Sequence, residues 1–212
     1  MDAELYNGYW ITTDTYLTQA HREENAQLVY NFLRGLGWTK NSVCAIIGNM
    51  DVESSVNPAL IEGRQYPNLI TNQECLNLTS TGIGMVQWTG RTDTPPAGQK
   101  LASYAIRHNK NWYDGELQCE RLKAEYDGDF QFEHGRVDGV EWDWESFVVS
   151  TETPEQLAKV FQYLYENGGR DTLLRQQKAR YYFDTLKKTL PAWMIPVITQ
   201  KRKELKPQCL RM

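Results

Sequence analysis

The stretch Gly48-Asn49-Met50-Asp51-Val52-Glu53-Ser54 ends a run of helical periodicity on a carboxylate, and this pairing constrains the chain more than any other feature of it. At about 100° per residue, Val43, Ile46, Ile47, Met50 and Glu53 fall on one stripe roughly 120° wide. Asp51 lies about 140° from the centre of that stripe and points away from it. An amphipathic helix buries its apolar stripe against other elements, so Glu53 is expected to face inward. Burial disfavours the carboxylate anion, and the negative end of the helix macrodipole acts in the same sense. The expectation is a carboxyl able to donate a proton. The competing reading is a Glu reaching water from the frayed end of a core helix, because charged groups are rarely fully buried.

Composition narrows the classes. With 212 residues, 41% hydrophobic and 12% aromatic, the chain can bury one sizeable core. A net charge of −4 and a pI near 5.5 argue against a nucleic-acid binder, which needs a basic face. No apolar run reaches membrane-spanning length. The start, Met1-Asp2-Ala3-Glu4-Leu5, is acidic where a signal peptide is basic and then apolar, so no signal peptide is expected. Cys44, Cys75, Cys119 and Cys209 form no C-x-x-C pair, and His21, His108 and His134 lack metal-ligand spacing. Neither a metal nor an organic cofactor is expected. Free thiols are the default reading, with a Cys75 to Cys119 bridge left open.

Along the chain, residues 1–17 are aromatic-rich without sustained period and read as an arm, packed on the domain or meeting a partner. From Thr18, Ala26, Val29, Phe32, Leu33 and Leu36 recur at helical spacing until Gly35 and Gly37 stop them. Thr39-Lys40-Asn41-Ser42 offers caps for the helix that carries Glu53. Pro58 then forces Asn57 out of the helical region. Residues 59–81 read as a long loop with at most one short helix, a length that points to function. Further helices are expected around Leu101, Tyr104 and Ala105, after the cap Asp114, and from Thr153-Pro154-Glu155 to Asn167-Gly168-Gly169. The last runs over 171–188, carried by Leu174, Ala179, Tyr182, Phe183 and Leu186. Residues 127–145 read as irregular loop or a short hairpin. The proline-interrupted Leu190 to Pro196 and the basic Lys201 to Lys206 read as a linker, a docking strap or a stub. The division is an arm over 1–17, a mainly α domain over 18–189 and a strap over 190–212.

Thr81-Gly82-Ile83-Gly84-Met85-Val86-Gln87-Trp88-Thr89-Gly90-Arg91 is the second informative stretch. Its paired glycines allow a tight turn and close backbone approach. Gln87-Trp88 sets an amide beside a flat ring, a combination that suits a sugar. The alternative is a Gly-rich turn leading into a core Trp. A nucleotide loop is disfavoured, since the full G-x-G-x-x-G and its preceding strand are missing.

Gly48 to Pro58 and Gly82 to Thr89 together resemble the paired motifs of the phage tail lysozymes, relatives of goose-type lysozymes and soluble lytic transglycosylases. The order of the other pieces is similar too: Asn25-Ala26-Gln27 to Trp38 before, Glu116-Leu117-Gln118 and Thr153 to Ala158 after. The resemblance implies a lysozyme-like helical domain, its long loop or small hairpin region forming a glycan cleft. It implies cleavage between N-acetylmuramic acid and N-acetylglucosamine in bacterial peptidoglycan, with Glu53 as the acid. Gln87 corresponds to the Gln of the Gly-x-Gly-x-x-Gln segment, which lies across the cleft from that acid. Gly84, Trp88 and Asn49 are the remaining substrate-side candidates; Asn49, four residues before Glu53, can reach its carboxyl or cap the local chain. The family setting implies a virion location at the phage tail and other tail proteins as partners. Ordinary glycosidases use two carboxyls, and the sequence nominates no second one: Glu62, Glu74 and Asp93 lie in loops where solvation is the commoner fate. The rival reading is a structural or wall-binding tail module that keeps the fold without activity.

Overall fold

Side-chain caps decide where most of the helices begin. In the computed structural model, which describes residues 4–6, 9–64, 69–78, 80–89, 97–128 and 131–187, Thr18 accepts from the His21 amide and α1 runs Gln19–Gly35. Thr39 does the same toward Ser42 and starts α2, Lys40–Ser54. Thr71 and Glu74 form a reciprocal capping box on the short α3, Asn72–Cys75. After α4, Ala97–Arg107, Asp114 accepts from Glu116 and Leu117 at the head of α5, Gly115–Tyr126. Asp143 boxes with Ser146 on α6, Trp144–Val149, and Thr153 with Pro154 opens α7, Pro154–Leu164. α8, Thr172–Thr185, follows Asp171, whose φ of 57° is left-handed and which makes no cap bond. The architecture is mainly α, a lysozyme-like helical domain, with two small hairpins.

The first hairpin pairs β1, Glu4–Tyr6, with β2, Trp10–Thr12, antiparallel. The sequence suggested only an unpatterned arm. Asn25 of α1 explains the order: its side chain accepts from Ile11 N at 2.9 Å and donates to Ile11 O at 2.8 Å, acting as a further strand. Trp10 and Ile11 are buried, and the Trp10 ring lies so close to Gly115 that a Cβ there would fall 2.2 Å from it. The second hairpin, β3 Gly135–Val137 with β4 Val140–Trp142, resolves the acidic stretch read as loop or hairpin. α6, which follows it, was not anticipated. Its Trp144 stacks with Phe147 and Tyr165, ring centroids 5.6 and 5.9 Å apart.

α2 is the hub. Val43, Ile46, Ile47 and Met50 are fully buried, as the stripe required, and each contributes about 1.5–3 kcal/mol. Yet Ser42, Cys44, Ala45, Gly48, Asn49, Asp51 and Ser54 are buried as well. The amphipathic reading is therefore corrected: α1, α6, α7 and α8 enclose the helix on its other faces too. α8 crosses α2 antiparallel, with Lys40 Nζ donating to Leu186 O at one end and Arg175 pairing with Glu53 at the other. The crossing is close at Gly48, where a Cβ would fall 2.6 Å from the Ala179 nitrogen.

Cys44, Cys75 and Cys119 are free and buried, so the Cys75 to Cys119 bridge left open by the sequence is not formed. Burial pushes the Cys44 and Cys75 thiols up to about 12. Among the described residues no helix is long and apolar enough to cross a membrane, and no cluster of potential metal ligands occurs. Cys209, Asp93 and the strap after Leu190 lie outside the described residues.

Candidate active site

The C-terminal end of α2 is clamped from both sides. Ser55 and Val56 turn the chain with left-handed φ values of 55° and 57°. The Ser55 hydroxyl accepts from Leu17 N at 2.7 Å, and Asn57 Nδ2 donates to Thr13 O and Thr15 O, both at 2.8 Å. This fixes the last helical turn and leaves the Glu53 side chain 23% exposed, reachable from solvent. Arg175 of α8, itself buried, pairs with Glu53 Oε1 through Nη2. Through Nη1 it donates to Asn49 Oδ1 at 3.0 Å. Asn49 Nδ2 is held in turn by Ala45 O and Ala158 O, at 2.9 and 3.1 Å. Asn49 therefore reaches Glu53 only through Arg175, and it is too buried to meet a ligand. The setting of Glu53 also differs from the apolar one expected, because the Arg175 guanidinium pairs with it.

Glu166, a residue that sequence reasoning missed, carries a second carboxyl that feels the charges of Glu53 and Arg175. Glu166 follows α7, its amide donating to Phe161 O at 3.3 Å. The residue is half-buried, but its Oε1 is shut off from solvent and has no hydrogen-bond partner. Burial holds the Glu166 carboxyl well above the usual carboxylate range, the charges of Glu53 and Glu125 add to this, and Arg175 opposes it. The signal for Arg175 was present: Arg175, Ala179, Tyr182 and Leu186 share one face of α8, the same charge-on-a-stripe pattern that singled out Glu53. Glu166 had no such signal, lying beyond its helix.

The Gly-rich segment is pinned beside the helix end, since Ser54 Oγ donates to Met85 O at 2.8 Å. Ile83 bridges both Ile61 and Trp88, and Gly84 N donates to Leu60 O at 2.9 Å, making a small β-like patch. Gly84 has φ 76°, and a Cβ there would meet Gln118 Oε1 at 2.8 Å. Gln118 occupies that space because it accepts from Met85 N and donates to Pro58 O and Trp112 O, at 2.8, 2.7 and 2.9 Å. Gln87 is half-buried with φ 50°. Its Nε2 donates to Gly84 O at 2.8 Å, closing its own turn. Trp88 is 0% exposed and donates to Glu125 Oε1 at 3.0 Å, while Glu125 Oε2 accepts from the Tyr165 hydroxyl at 2.6 Å. The Trp88 ring therefore has no surface for a sugar, and of its two open uses the core one holds.

The loop carboxyls considered as second groups have other partners. Glu62 accepts from Gly82 N at 2.9 Å, and Glu74 closes its capping box. Asp51 points away from Glu53, as the helical angle required, and is buried against Arg22 and Tyr182, both at 2.7 Å, and Lys178 at 3.1 Å. An open groove of about 440 Å³ lies elsewhere, between residues 69–73 and Ile106, and none of the candidate residues lines it.

A hub helix that ends on an accessible glutamate, with a Gly-x-Gly turn fastened to its last residues, defines the lysozyme-like class. The chain belongs to the phage tail lysozyme family, whose model matches residues 24–186. Among curated proteins it is similar to Morphogenesis protein 1 of Bacillus phage B103, 30% identical over 174 residues. That alignment covers 82% of this chain and 42% of the relative, so the chain spans less than half of the relative's length.

Proposed function

We propose that this chain cleaves the glycan strands of bacterial peptidoglycan, between N-acetylmuramic acid and N-acetylglucosamine, with Glu53 as the general acid. The observation that carries the reading is the placement of Glu53: at the end of the hub helix, partly open to solvent, with its orientation held by Arg175 and Asn49. Glycoside cleavage passes through an oxocarbenium-like state that needs the leaving oxygen protonated, and a positioned carboxyl supplies that proton. Gln87 and Gly84, held rigid by their own turn and by Gln118, form a polar edge for a sugar acetamide. No cofactor enters the reaction. A tail location, with other phage tail proteins as partners, is part of the same proposal and is supported by the family description.

The test is release of soluble fragments from purified cell walls. Glu53→Gln is expected to abolish release while leaving the helical circular dichroism unchanged; full release by the variant would sink the assignment. Mass spectrometry of the fragment ends separates hydrolysis at either sugar from transglycosylation. The pairing of Glu53 with Arg175 favours one rival, an inactive structural module, which the wild-type chain would reveal by sedimenting with walls and releasing nothing.

A further inference from the structure

Both hydrogens of the Gln87 side-chain amide are directed inward, Nε2 donating to Gly84 O at 2.8 Å and to Leu60 O at 3.3 Å. Of the two ends of that amide only the NH2 can meet two carbonyls, so the nitrogen lies inside and the oxygen outside. Among the described residues Gln87 Oε1 has no partner, and it is open to solvent. Gln87 therefore offers a ligand an acceptor and no donor. Nothing in its own turn decides this polarity, because an amide can turn over and Gly84, with φ 76°, leaves the peptide that follows it free to do the same. The carbonyl of Gly84 and the amide of Met85 belong to one planar trans unit, in which C=O and N–H point in opposite directions. Gln118 Oε1 accepts from Met85 N at 2.8 Å and so aims Gly84 O at Gln87 Nε2. With that peptide turned over, its N–H would face Gln87, and the side-chain amide would have to reverse and show Nε2 to solvent. Gln118 is itself fixed, fully buried with its Nε2 held by Pro58 O and Trp112 O.

We propose that Gln118 is a positioning residue that locks Gln87 with its oxygen outward, by gripping the peptide between Gly84 and Met85, and that this oxygen reads the N–H of a sugar's acetamido group. The inference rests on the reading of Gln87 as a substrate-side residue and deepens it from a polar edge to a single acceptor. A neighbouring oxygen has the same polarity. Thr89 Oγ1 gives its hydrogen to Gln87 O at 2.9 Å, which leaves it only lone pairs to show, and a Cβ on Gly82 would fall 2.8 Å from both Thr89 Oγ1 and Gln87 Oε1. An edge of acceptors takes N–H and O–H groups and repels a carbonyl or carboxylate oxygen brought against it. Gln118 touches no sugar and acts through Gln87. Its Nε2 also reaches the chain that leaves the acid's helix, at Pro58 O, and Ser54, next to Glu53 in the chain, donates to Met85 O. The orientation of Gln87 is thereby set within the same frame that carries Glu53.

The probe is a tetramer of β-1,4-linked N-acetylglucosamine carrying nitrogen-15 in its acetamido groups, added to the whole Glu53→Gln chain so that binding is read without cleavage. One acetamido N–H is expected to move downfield on binding. Gln87→Met in the same chain should abolish that shift and weaken binding about tenfold. Gln118→Met, close in size but without acceptor or donor, should do both, and the double variant should bind no more weakly than either, because the two side chains act in one line. A Gln118 that merely stabilises the fold does not give this non-additivity, since its effect is independent of Gln87. An N–H shift and affinity retained in Gln118→Met, additive losses, or a shift confined to the acetamido carbonyl would overturn the proposal, and so would a folded chain that does not bind the tetramer. If Gln118→Met does not fold, hydrogen exchange in wild type decides: the Met85 amide and both Gln87 side-chain amide protons are expected to exchange more slowly than those of the exposed Gln73. Fast exchange of any of them would break the lock. Wall hydrolysis does not enter, so a wild-type chain that releases no fragments sinks Glu53 as the acid and leaves the test of Gln118 standing.

Discussion

In the unfolded chain Glu166 gives up its proton at about pH 4.3, whereas in the folded one burial and the charges of Glu53 and Glu125 keep it to a higher pH. Between those two values the folded state binds more protons, so stability falls as pH rises. The contribution is complete below the unfolded value and is lost as pH climbs through the folded one. Urea unfolding across that range should show wild type losing stability relative to Glu166→Gln; a constant difference would show that position 166 does not titrate. The same residue marks a limit of sequence reading. Glu53 was legible because helical angle alone places it behind Met50. Arg175 obeys the same geometry, one turn before Ala179 on the buried face of its helix, but the apolar pattern of that helix does not say what the charge meets. Glu166 has no local pattern, and only the meeting of α2, α7 and α8 gives it neighbours.

At the scale of elements, caps were readable and packing partners were not. Thr39, Asp114 and Thr153 bond amides two or three residues ahead, a local event that sequence contains. The burial of α2 on all faces depends on helices far along the chain, α8 above all. Gly48 is where this shows, because Ala179 backbone fills the space of its missing Cβ. Gly48→Ala gains about 1 kcal/mol of helix propensity and loses about 1–3 kcal/mol to overpacking. The net expectation is a less stable chain, read as an earlier urea midpoint. Because Arg175 lies one turn from Ala179, wall hydrolysis should fall with it. Unchanged stability would mean that the two helices do not meet there as described.

Across the whole molecule, residues 10–17 belong with the core they cover. Trp10, Ile11 and Leu17 are buried, and Asn25, Ser55 and Asn57 bond the backbone that carries them. Trp10→Ala should destabilise the chain by about 3–5 kcal/mol, seen in one cooperative unfolding transition. A change under about 1 kcal/mol, within the range of surface substitutions, would favour the alternative of an arm that meets a partner. By itself the sequence determined the helical class, the caps Thr39, Asp114 and Thr153, and the carboxylate at the end of the second helix, because periodicity and capping act over three or four residues. The tertiary structure alone decided that Trp88 and Asn49 are buried, that Arg175 pairs with Glu53, and that one oxygen of Glu166 is shut off from solvent. Those facts depend on which distant segments enclose a side chain, and local spacing does not encode that.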